Sequence, residues 1–172
     1  MAEHTVPPSA HPTAATTKSR SRFVRFTLVA AVVAASAALL SEGLGLHAWA
    51  MFVGWIVWFT RPTSATLGLH SMVSLWAGLL LAVAGHVIVG VLAPAIGQAA
   101  LPVAVFVLAC VAVGMRTTPV LDNMLAWFLG LVAFFALHPD NVLTGVLTLV
   151  AASAIGAGAG YACQRLQRRF AS

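Results

Sequence analysis

Residues 50–59 read Ala50-Met51-Phe52-Val53-Gly54-Trp55-Ile56-Val57-Trp58-Phe59, and 76 positions later, without a gap, comes Ala126-Trp127-Phe128-Leu129-Gly130-Leu131-Val132-Ala133-Phe134-Phe135. Ala, Phe, Gly and the final Phe coincide, Trp58 meets Phe134, and every other pair is apolar. Matches between apolar residues arise easily in a hydrophobic chain. Position gives this one its weight, because each copy is the second apolar run in a group of three. The predicted fold is therefore an all-α membrane protein, with six transmembrane helices arranged as two inverted three-helix repeats over residues 23–92 and 99–164.

Composition points the same way. Apolar residues make up 60% of the 172-residue chain and charged residues 8%, with a mean hydropathy of +0.96. A soluble domain carries roughly a quarter of its residues as charges, so that class is excluded. The formal charge of +5 forms no basic patch beside aromatics, which argues against nucleic acid as a partner and leaves the lipid bilayer. Cys110 and Cys163 have neither metal-ligand spacing nor the pattern of a disulfide framework.

Residues 1–22 are rich in Pro, Ala, Ser and Thr and read as a disordered tail ending in Lys18, Arg20, Arg22 and Arg25. The first span covers about 23–40. Its basic start and Ala35-Ser36-Ala37 also fit a signal peptide, but the long polar leader and the closely following apolar run favour a retained span. Further spans follow over about 44–59, 67–92, 99–115, 120–137 and 142–162. The turns between them are marked by Pro62, by Pro94 with Gly97, by Pro119, and by Pro139. A basic tail, 165–172, ends the chain.

Six spans put every Lys and Arg on one side: the N-terminal four, Arg61, Arg116, and Arg165, Arg168 and Arg169. The opposite connections hold Glu42, His47, His138 and Asp140. Removing or adding one span breaks this separation. By the positive-inside rule both termini are cytoplasmic.

Inverted repeats recur in transporters, where short segments at corresponding positions of the two halves mark the site. Spans two and five fit that description. At 100° per residue Phe52, Trp55 and Phe59 share a face, as do Phe128, Leu131 and Phe135, with Gly54 and Gly130 roughly opposite. The Phe pairs are candidate constrictions of a solute path; equally, they fill a core or face lipid. Ser71, Ser74, Gly78, Ala82 and Gly85 make a small-residue stripe on span three, and Ala152, Gly156 and Gly160 make one on span six. Such stripes serve tight helix contacts, within the bundle or between copies in a homo-oligomer. His86 is the most deeply embedded titratable group, either a functional residue lining the path with Ser74 or a neutral resident of the bundle. Asp122 at the start of span five has a structural explanation in the helix dipole, and Glu42 either lines an entrance or caps its connection. No nucleophile–base set, metal cluster or phosphate-binding loop is legible, so no catalytic residue, metal or cofactor is expected.

The run Leu46-His47-Ala48-Trp49-Ala50-Met51-Phe52-Val53-Gly54, followed by Phe59 and Pro62, resembles the uncharacterised YcdZ-like family of small bacterial inner-membrane proteins. The likeness spans about 23–166 and implies a multi-span bacterial inner-membrane protein, with no functional residue to carry over. Three readings stand at this point: a channel or simple transporter for a small uncharged solute, a scaffold that binds partner helices, or a sensor built on His86. The scarcity of acids within the spans argues against ion coupling.

Overall fold

The computed structural model describes residues 14–61 and 64–171. Pro62, at the expected turn, and the first 13 residues of the expected disordered tail lie outside that range. Every regular element among the described residues is helical: α1 (Ala14–Gly43), α2 (Ala48–Phe59), α3 (Ala65–Ile96), α4 (Ala100–Gly114), α5 (Met124–Leu137) and α6 (Val142–Ala171). Single 3-10 turns lead into and out of α4. Three helical runs, at 20–43, 65–117 and 142–169, are long and apolar enough to cross a membrane. The second is a hairpin of α3 and α4, bent back at Gly97, which ends α3 with a φ of +56°.

Local chemistry accounts for the boundaries. Ser64 caps α3 by accepting from the Leu67 N–H, and Asn123 caps α5 by accepting from Ala126. Ala48, at the start of α2, donates to Glu42 Oε1, so Glu42 caps the connection. Two boundaries differ from the sequence expectation. Residues 14–22 and 165–171, expected as tails, extend α1 and α6, because nothing in either stretch breaks a helix. Pro94 stays inside α3, close enough to its end that the missing N–H removes only one bond of the last turns.

α2 and α5 are short, with 12 and 14 residues, about 18 and 21 Å long at 1.5 Å per residue. Each packs most heavily on a long helix from the other half of the chain, α2 on α6 and α5 on α3. A Cβ added to Gly54 would land on the Ser153 carbonyl, and one added to Gly156 on that of Met51. A Cβ on Gly130 would meet the Leu75 carbonyl, and one on Gly78 that of Trp127. The two crossings use corresponding positions: 51 and 54 answer 127 and 130 at a spacing of 76, and 75 and 78 answer 153 and 156 at a spacing of 78. Both pairs run parallel. Ser71 meets Asn123 while His86 meets Phe134, and Met51 meets Gly156 while Trp58 meets Gly160.

α1 leans on α6 and α4 on α3, outside this central group of four helices. Their outward faces are apolar, with Leu39 76% and Phe106 70% exposed. In water such surfaces would drive aggregation; in a bilayer they are the solvated face. The small-residue stripes, expected at tight helix contacts within the bundle or between copies, are buried between the chain's own helices. Ser71, Ser74, Gly78, Ala82 and Gly85 are all buried on α3, and Ala152, Gly156 and Gly160 on α6.

Candidate functional site

The bundle has chemically opposite ends. At one, Gln167 reaches the Phe26 carbonyl, Arg165 lies over Tyr161, Tyr161 packs on Trp58, and Arg61 follows α2. At the other, Gly45 and His47 meet His138, Pro139 and Asp140 around one crevice.

At the basic end a polar network joins the end of α2, α3 and the start of α5. Asn123, 6% exposed, donates its amide to Thr60 Oγ1 at 2.7 Å and to Ser71 Oγ at 2.8 Å. Thr60 in turn donates to the Val57 carbonyl and Ser71 to that of Leu67, so every member is satisfied. Beside them Arg61 Nη1 meets Asp122 Oδ1 at 2.8 Å. The Arg61 guanidinium holds the Asp122 carboxyl below the usual carboxylate range. Asp122 therefore precedes α5 as half of an ion pair, a role beyond the helix dipole expected for it. None of Thr60, Ser71 and Asn123 stands out as a polar cluster in the sequence, because 63 and 52 positions separate Asn123 from its two partners.

Ser74, expected on a solute path, is fully buried; its hydroxyl lies 3.0 Å from the His70 carbonyl and 3.5 Å from that of Val120. The centre of the bundle, between Ala50, Val53, Leu75, Leu79, Ala133 and Leu149, encloses a void with no room for a water molecule. Next to it Trp76 Nε1 donates to Ser153 Oγ at 3.1 Å, joining α3 to α6.

The four Phe side chains do not oppose one another across that centre. Phe52 is 39% exposed on the outside of α2, and Phe59 packs against Trp55 on its own helix. Phe128 and Phe135 line an apolar groove of about 390 Å³ between α4 and α5, together with Val105 and Leu108. Phe52, opposite Gly54, thus lies on the outside, whereas Phe59, Phe128 and Phe135 are half-buried against the apolar core.

The crevice at the acidic end has a volume of about 380 Å³ and is lined by His47, His138, Asp140, Asn141, Thr144 and Thr148. Asn141 Oδ1 accepts from the Thr144 N–H at 3.0 Å, which leaves its amide NH₂ to donate. A second cavity of about 200 Å³ adjoins through His138 and Pro139, and reaches His86, Phe134 and Phe135. His86, exposed, stands edge-on to Phe134 with ring centres 6.2 Å apart. His138 lines both cavities and has a left-handed backbone, with φ +46°.

An all-helical chain with apolar outer faces and polar residues gathered at its two ends defines a membrane protein. More particularly, residues 27–167 match the DUF1097 family, described as proteins of unknown function, and the chain belongs to it. No curated protein and no solved structure matches the chain.

Proposed function

We propose that the chain crosses the bacterial inner membrane six times, as two inverted three-helix halves with both termini cytoplasmic, and acts as a channel or simple transporter for a small uncharged solute. One observation carries this reading. The two short helices occupy corresponding positions in the halves, and each beds glycine-to-carbonyl on the long helix of the other half. Exchange of this kind is what a pseudo-two-fold axis in the membrane plane produces, and paired short helices mark the substrate region of such folds. With six crossings the Arg-bearing end is cytoplasmic and the Asp140 crevice faces out.

The water-free centre favours a transporter that opens and closes over a permanently open pore. Its lining, apolar but for Ser153, whose hydroxyl is already engaged with Trp76 and the Val150 carbonyl, also disfavours ions. The Thr60–Ser71–Asn123 network and the Arg61–Asp122 pair would then be the inner closure. We assign the protein no catalytic role, and its narrower likeness to the YcdZ-like proteins fits this reading. The test is solute flux in vesicles reconstituted with the full chain, compared between the wild type and Asn123→Ala. Flux above protein-free vesicles that changes in the variant supports the reading; none for any small neutral solute refutes it.

A second reading is a scaffold that seats a partner helix in the α4–α5 groove, favoured by the exposure of Phe106 and by the apolar lining at Phe128 and Phe135. A chain without flux that copurifies with a partner lost on Phe128→Ala would select it.

A further inference from the structure

We infer that the crevice between the 43–47 and 138–141 connections docks a small neutral amide, a molecule with an NH₂ group beside a carbonyl. The inference deepens the transport reading and rests on it for direction, but docking is measured separately from flux.

The lining offers both acceptors and donors. Asp140 contributes a carboxylate that only accepts, while the Thr144 and Thr148 hydroxyls and the His47 and His138 imidazoles can also donate. Among the described residues no Lys or Arg lines the crevice to neutralise Asp140. The NH₂ of Asn141 is a further donor, its oxygen being held by Thr144 N–H. A carboxylate facing an N–H pair, with an NH₂ facing a carbonyl, is the hydrogen-bonding complement of a primary amide.

Charge decides between an amide and an amine. A protonated amine would pair well with Asp140 at the mouth. Beyond His138, however, the adjoining cavity offers Phe134 and Phe135, and the centre of the bundle is dry and apolar. An ion moving that way exchanges its water for two imidazoles, two aromatic faces and at the centre the single hydroxyl of Ser153, a poor replacement for its solvation, whereas a neutral amide loses only hydrogen bonds. His138 lines both cavities, and it ends α5 in the left-handed conformation in which helices commonly terminate.

The experiment is saturation-transfer NMR on the full chain in detergent, with acetamide as the probe and glycerol and methylammonium as competitors. Acetamide should receive saturation from the protein. Asp140→Asn should weaken its affinity about tenfold, the equivalent of one charge-assisted hydrogen bond. His138→Asn keeps a residue that tolerates the left-handed backbone and should also weaken binding. Thr148→Val provides a third, independent variant should either of these unfold. Displacement of acetamide by lower concentrations of methylammonium would make the crevice a cation site and overturn the proposal. Equal displacement by glycerol, or unchanged acetamide binding in all three variants, would overturn it too. Docking without flux refutes the transport reading alone; acetamide flux indifferent to these variants refutes the docking site alone.

Discussion

Asn123 does three jobs at once: it caps α5, and it donates to hydroxyls on the end of α2 and on α3. Asn123→Ala should cost about 2–3 kcal/mol, from one lost cap and two unmade bonds, one to the buried Ser71 hydroxyl and one to the half-buried Thr60 hydroxyl, measured as a drop in the unfolding midpoint in detergent. The neighbouring Asp122 carries a pH signature. Its folded carboxyl titrates below the ordinary value of 3.8, so the ionised form is the one folding favours. That contribution is present above the unfolded value and is lost as pH falls through the folded one. The wild type should therefore lose stability below pH 3.8 by a component absent from Asp122→Asn, read from parallel melts between pH 5 and 3. These residues escape a reading of the sequence because hydrogen bonding at long range leaves no periodicity. Asn, Thr and Ser near a turn look like any other turn.

The elements were far more legible. Periodic apolar runs gave all six helices, and the repeat at 50–59 and 126–135 was visible because Gly54 and Gly130 hold the same place in it. What those glycines touch could not be read, since that depends on which long helix each short one chooses. The choice goes across the halves, to carbonyls that only a missing side chain can admit. Gly54→Leu and Gly130→Leu should each unfold the protein or cost well over the roughly 1–3 kcal/mol of ordinary overpacking, because backbone rather than a movable side chain blocks the way. Gly90 and Gly158 have open space around the missing Cβ, so Gly90→Leu and Gly158→Leu should leave the melting midpoint almost unchanged. Equal damage at all four would mean that leucine is harmful for some reason other than contact. The same logic accounts for Phe52: α2 beds its Gly54 face on α6, which leaves Phe52, on the opposite side of the helix, exposed.

At the scale of the whole molecule, the parallel pairing of α2 with α6 and of α5 with α3 has a topological consequence. Helices that run side by side in the same direction enter from the same face, so α2 and α6 share one sense and α3 and α5 the other. α1 runs opposite to α6, since Phe26 meets Gln167, and α4 runs opposite to α3, since Leu108 meets Gly85. These senses alternate along the chain, and they gather Arg61, Arg165 and the start of α1 at one end and Asp140 and His47 at the other. A bilayer that retains Arg on its cytoplasmic side orients this separation in one way only. Reporter fusions at Arg61 and at Asp140 should accordingly report opposite sides, with Arg61 cytoplasmic. Both reporting the same side would leave α2 and α5 as segments that dip into the bilayer and return, with α1, α3, α4 and α6 as four crossings in place of six. The inverted halves would then fall, and with them the outward-facing crevice, whatever the glycine contacts between the helices.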